Sequence, residues 1–267
     1  MSKIVNPHDK FFRNVWSRNE VATDFLANYL PADLKPHINL DTLSIQKDTF
    51  IEKELREQRS DLLYQAEIAD AGPGYVYVLF EHKSKIEKFI AVQLLRYISA
   101  IWHQREKNVR KQTTEDPGDL PPIIPVLFYH GVKDWQPKTL KELMPKLPES
   151  LAPYIPDFRF VVSNFATEGS PIIRGSSLLQ AILRLLHTQP GGKLRSELKE
   201  IMILLREIID NPVVMEIFST MIEYIFLVED SMTEQEITQT VRMQLSSKQE
   251  AEAMTIADKL RNEGMAE

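Results

Sequence analysis

The 267-residue chain has no cysteine, which excludes disulfides, thiolate metal sites and a cysteine nucleophile. It has nine glycines, which argues against nucleotide-cradling loops. Neither a G-x-x-x-x-G-K-[ST] loop nor a G-x-G-x-x-G fingerprint occurs, and G-x-S-x-G and H-E-x-x-H are also missing. The six histidines (His8, His37, His82, His103, His130 and His187) show no paired zinc spacing. No run of about 18 uncharged apolar residues is present, so no membrane-spanning helix is expected. The opening MSKIVNPHDKFF carries no apolar signal core, and the expected location is the cytoplasm.

An excess of positive charge is missing too. The formal net charge is −6, with 43% hydrophobic and 26% charged residues, the balance of a globular protein of one large or two modest domains. The charge is unevenly spread. Lys83 to Lys111 holds eight Lys or Arg against two Glu, whereas residues 227–267 hold nine acids and four bases. A basic stripe can hold a phosphate backbone within an acidic whole. It can equally be the exposed side of a helix.

What is present is organised around Ser60 to Tyr97. Asp61 to Ala69 and Tyr75 to Phe80 read as strands, and Asp70-Ala-Gly-Pro-Gly74 as the turn between them. With residues 70–74 as the loop, paired residue numbers add to about 144. Asp61 then falls opposite Lys83, and Leu63 opposite Glu81. Period-two alternation puts Asp61, Glu81 and Lys83 on one face. Two carboxylates and an amine converging at a strand end suit a hard divalent cation such as Mg²⁺. The plain alternative is a set of solvated polar caps or a surface ion pair, which contributes little. Gln93 and Tyr97 lie four apart on the helix that follows, so both can look back at the hairpin.

Asp61 followed by Glu81-His82-Lys83 resembles the D…(D/E)xK signature of the PD-(D/E)xK nuclease superfamily. Gln93-Leu-Leu-Arg-Tyr97 resembles the Q…Y helix of its RecB-like branch. The wording FEHKS…QLLRY, with His8-Asp9 upstream, is similar to the recombination-promoting nuclease family, which is transposase-like. The resemblance runs over about residues 6–165. It implies an α/β, restriction-endonuclease-like mixed sheet flanked by helices over residues 1–168, followed by an all-helical C-terminal region, 169–267. It further implies a Mg²⁺-dependent DNA endonuclease linked to recombination or mobile elements. On that reading Asp61 and Glu81 hold the metal, Lys83 positions or activates water, and Gln93 and Tyr97 orient the site. Asp9 or Glu20 is an auxiliary acid, although Asp9 also suits a helix-capping role. The competing function is a catalytically silent nuclease-fold module that binds DNA or a protein partner. His82, between Glu81 and Lys83, falls on the opposite face of the strand.

The remaining elements follow from periodicity. Residues 8–30 fit one amphipathic helix, and a short strand is expected near Leu43 to Ile45. The helix from about Ile86 to Lys107 carries an apolar set (Phe89, Ile90, Val92, Leu94, Leu95, Ile98, Ile101, Trp102) too wide for one stripe, so it should lie on the sheet. Ile123 to Tyr129 reads as a buried strand ending at His130, which either reaches the site or is a locally bonded turn residue. Phe158 to Ser163 reads as a strand at or near an edge. Helices are expected over Ser177 to His187, Leu194 to Ile209 and Pro212 to Val228. Thr233/Glu236 and Ser247/Glu250 form capping boxes for two more. Ile237, Val241 and Leu245 make a thin apolar seam, as do Ala253, Ile256, Ala257 and Leu260. Such seams cannot hold a lone helix in water, so this segment is either frayed or docks on a partner or on another copy of the chain; a homodimer through the C-terminal helices is the commonest way to bury such a seam. DNA binding should be largely non-specific in sequence.

Overall fold

Five strands form one mixed sheet, in the order in which the chain makes them. The computed structural model describes residues 7–46, 62–81, 86–112, 119–166, 171–188, 194–228 and 232–246, with single positions 168, 249, 251 and 255. β1 (Ile38–Gln46), β2 (Leu62–Ile68) and β3 (Gly72–Glu81) pair antiparallel. β4 (Ile123–Tyr129) and β5 (Val161–Asn164) are added in parallel, which leaves β5 at an edge. Parallel pairing of β3 with β4 requires a crossover, and helix α3 (Ile90–Gln112) supplies it.

The β2–β3 turn is tighter than residues 70–74. It occupies Ala69 to Ala71, with Asp70 at φ 61° and Gly72 at φ 70°. Asp tolerates the left-handed region better than most residues, and Gly adopts it without a steric penalty. Pro73 and Gly74 are therefore already in the strand. A Cβ on Gly74 would overlap the Ile68 side chain and stand 3.0 Å from Pro122 Cγ. Paired numbers consequently add to 140 rather than 144, and Leu63 faces Tyr77, not Glu81. The shift is even, so the odd-numbered positions of both strands still share a face.

The N-terminal segment is two helices, α1 (Pro7–Trp16) and α2 (Asn19–Tyr29), rather than one. The Ser17 hydroxyl donates to the Arg13 carbonyl, and Arg18 turns extended at φ −82°, ψ 119°. The break lets both apolar faces, Phe11, Phe12, Val15, Trp16 and Val21, Ala22, Phe25, Leu26, reach one core. β1 is nine residues long, not the three expected, because its register slips between Asn39 and Ser44. There the Thr42 hydroxyl accepts from Glu67 N at 2.9 Å and donates to Asn39 O at 2.7 Å, in place of ladder bonds.

Both faces of the sheet are covered, which is why IIPVLFY is a continuous apolar run. Leu62, Tyr64, Ala66, Val76, Val78, Val126 and Phe128 join α1, α2 and α5 (Ser177–Thr188) in one cluster. Leu63, Tyr77, Leu79, Leu127 and Tyr129 join Ile90, Leu94, Tyr97 and Ile101 of α3 in the other. A four-residue helix, α4 (Leu140–Leu143), is capped by Thr139 with Glu142.

The C-terminal helices α6 (Leu194–Arg206), α7 (Pro212–Val228) and α8 (Glu234–Gln244) extend the first cluster. The Thr233/Glu236 capping box is present. Ser247 and Glu250 lie outside the described residues; beside them Ser246 N donates to Gln249 Oε1 at 3.0 Å and Gln249 N to Ser246 Oγ at 3.4 Å. Ile237 and Val241 are buried by this chain itself, so this seam needs no second copy. The seam from Ala253 to Leu260 lies outside the described residues. Among the described residues no helix is long and apolar enough to cross a membrane.

Candidate active site at the carboxyl end of the central strand

β3 is the middle strand, and Glu81 is its last residue. Its register partner is Tyr129, the last residue of β4. Position 81 continues the series 77, 79 that lies on the α3 side of the sheet. The expectations for Asp61, His82 and Lys83 fall outside the described residues, and for Glu81 the strand position alone is described.

The crossover helix supplies the next two candidates. Tyr97 is buried, its ring centroid 4.9 Å from that of Tyr77 at an interplanar angle of 34°. Gln93 stands one turn earlier, half-buried, on the same side as Ile90, Leu94 and Tyr97. The chain therefore brings Gln93 and Tyr97 over the face to which position 81 belongs.

Asp9 sits half-buried in the first turn of α1, the helix that covers the opposite face. The start of α1 nevertheless lies near the carboxyl end of β4, because the His8 and His130 rings are 6.0 Å apart. Glu20 is exposed in the first turn of α2.

His130 is not a locally bonded turn residue. It is fully buried, and its Nε2 bonds the Leu186 carbonyl of α5, so the ring fastens β4 to the helical region. A carbonyl only accepts, which makes Nε2 the protonated nitrogen. A second tie was not legible in the sequence. His8 Nδ1 and the Tyr224 hydroxyl of α7 share a 2.7 Å hydrogen bond, and Phe11 stacks on Tyr224 at 4.3 Å. Burial pushes the Tyr224 phenol up, so it stays protonated. Partners 216 positions apart leave no local sequence signal.

The apolar set of α3 is also partly corrected. Ile90, Leu94, Ile98 and Ile101 are buried, but Phe89 and Val92 are not. The helix starts at Ile90 rather than Ile86, and Glu87 Oε1 accepts from Phe89 N at 3.2 Å just before its first turn. Trp102 is half-buried and donates Nε1–H to Pro121 O at 2.9 Å.

Among the described residues no three His, Cys, Asp or Glu side chains gather as metal ligands. With no cysteine in the chain, the donors available at the β3 end are oxygen and nitrogen, and carboxylate oxygen suits a hard cation.

The family model described as "Putative transposase, YhgA-like" matches residues 6–216. Among curated proteins, the chain is 36% identical over 135 residues to recombination-promoting nuclease RpnA of Escherichia coli K12, covering 50% of this chain and 43% of that protein. It is 33% identical over 134 residues to recombination-promoting nuclease RpnD of Escherichia coli O157:H7, covering 50% and 49%. It is 37% identical over 142 residues to the inactive recombination-promoting nuclease-like protein RpnE of Escherichia coli K12, covering 53% and 45%. The aligned part thus spans less than half the length of each of these relatives. No solved structure matches the chain.

Proposed function

The chain belongs to the family described as "Putative transposase, YhgA-like", and from that premise we propose that it is a metal-dependent DNA endonuclease acting in recombination. The observation that carries the proposal is the pairing of Glu81, at the carboxyl end of the central strand, with a crossover helix that sets Gln93 and Tyr97 over the same face. Relatives named recombination-promoting nucleases support it.

Asp61 and Glu81 would hold Mg²⁺, which when bound lowers the pKa of a water and offsets charge on the scissile phosphate. Lys83 orients that water and balances the phosphate's negative charge. Gln93 and the Tyr97 hydroxyl orient the site by hydrogen bonding, and the buried Tyr97 ring fixes the distance between helix and strand. The basic run from Lys83 to Lys111 holds the DNA backbone without reading bases.

A second reading has a specific support. One relative, at 37% identity, is named inactive, so a silent DNA- or protein-binding module is the competing function. Nicking of supercoiled plasmid, with and without Mg²⁺, by the wild-type chain and by Asp61→Ala separates the two. A homodimer through the C-terminal helices would have to use surfaces beyond the α8 seam, and light scattering on the full chain decides it.

A further inference from the structure

Three large apolar side chains at the start of α3 and just before it are exposed. Ile86 is 46% exposed, Phe89 54% and Val92 41%. Phe89, Val92 and Arg96 follow one another at three- and four-residue spacing, so they form one exposed stripe of α3 and its lead-in. Lys88 Nζ lies over the Phe89 ring at 5.4 Å from its centroid. The Glu87 carboxylate is engaged at the helix start through Phe89 N, where the helix dipole favours negative charge.

The start of this stripe lies level with the end of β3. Tyr97 meets Tyr77, and a crossover helix runs antiparallel to the strands it joins. Four strand residues separate Tyr77 from Glu81, about 13 Å. Eight helical positions separate Tyr97 from Phe89, about 12 Å in the same direction. Phe89 therefore lies at the level of the carboxyl end of β3, on the solvent side of α3.

An exposed aromatic face rimmed by cations is what an unpaired nucleobase needs. Stacking supplies the contact to the base, and cations supply the contact to the phosphates. In a closed duplex the base faces are stacked on each other and offer the ring nothing. Lys88 and Arg96 are exposed, and the surrounding run is strongly basic, which favours a nucleic-acid strand over an apolar protein partner. We propose that Phe89 is a base-stacking platform beside the site, so the preferred substrate is DNA with unpaired nucleotides next to the scissile bond. This rests on the nuclease reading and narrows its substrate.

The test is fluorescence anisotropy of a labelled single-stranded oligonucleotide of about 16 nucleotides, at the upper end of known single-strand site sizes, and of its blunt duplex, in EDTA so that no cleavage occurs. Wild type is expected to bind the single strand more tightly than the duplex. Phe89→Ala should weaken single-strand binding by about tenfold, within the range that loss of one stacked base produces. Phe89→Trp should keep it, and Tyr154→Ala, an exposed aromatic elsewhere, should leave it unchanged. Circular dichroism confirms folding of each variant. Equal single-strand affinity of wild type and Phe89→Ala overturns the platform; if Mg²⁺-dependent nicking persists, the nuclease reading survives it. Failure of wild type to bind either DNA also overturns the platform, and nicking in Mg²⁺ decides the nuclease reading separately.

Discussion

The ring of Tyr97 rests 4.9 Å from that of Tyr77, and this contact, with Ile90, Leu94 and Ile101, holds the crossover helix along the central strand. An aromatic pair of this kind contributes about 0.5–1.5 kcal/mol beyond the area it buries. Its larger consequence is positional, because Gln93 and the start of α3 inherit their placement from it. Tyr97→Ala should destabilise the chain by about 3–5 kcal/mol in urea unfolding, as loss of a buried aromatic does. Tyr97→Phe should stay within about 1 kcal/mol of wild type while its nicking rate falls. Wild-type nicking by Tyr97→Phe would remove the hydroxyl from the account.

Tyr224 joins the helical region to the start of α1 through both its hydroxyl and its ring. Tyr224→Phe keeps the Phe11 stack and deletes the bond to His8, for an expected loss of about 1 kcal/mol. Tyr224→Ala deletes both and should cost about 3–5 kcal/mol. Equal unfolding midpoints for the two variants would show that the ring contributes nothing.

Glu236 supplies a pH dependence. Two bonds from the Arg195 guanidinium, at 2.7 and 3.1 Å, and then the Thr233 backbone and hydroxyl, hold its carboxyl at about 2 against an ordinary 4.5. A carboxyl lowered by folding stabilises the native state above its ordinary value. That contribution is lost as pH falls from 4.5 towards about 2. Glu236→Gln removes the titration, so the wild-type advantage in thermal midpoint should be full at pH 6 and shrink through that window. Parallel wild-type and variant curves across it would contradict the assignment.

DNA affinity should fall steeply with salt. If several phosphates are neutralised by the Lys83 to Lys111 run, binding weakens by on the order of tenfold or more across the physiological range. Exchanging the oligonucleotide sequence at fixed length should change little. A flat salt titration would exclude a phosphate-led contact.

The hairpin and its returning helix were legible because turn chemistry, a β-branched and aromatic run and a helical repeat each carry their own local signal. The register was four off because Asp70 itself takes the left-handed conformation, so the turn closes before Pro73 and Gly74. Parity survived because four is even, which is why Leu63, Tyr77 and Leu79 share a face as expected. The break at Ser17 and Arg18 was hidden because the apolar repeat runs through it. Phe89 was misplaced for a related reason: periodicity records that a residue is apolar, and solvent exposure depends on what the sheet end leaves uncovered. The His8–Tyr224 and His130–Leu186 ties join distant segments, so no window of sequence could show them. The α8 seam was read as too thin to stand alone, which is right for a lone helix; α6 and its neighbours cover it.

The most direct measurement is conversion of supercoiled plasmid to nicked circle, followed against Mg²⁺ concentration for the wild type, Asp61→Ala, Glu81→Ala and Lys83→Ala, with EDTA as the blank. The account predicts nicking that rises with Mg²⁺, vanishes in EDTA and is lost in all three variants while their circular dichroism is unchanged. Nicking by Asp61→Ala or Glu81→Ala at the wild-type rate, or wild-type nicking that persists in EDTA, would contradict it.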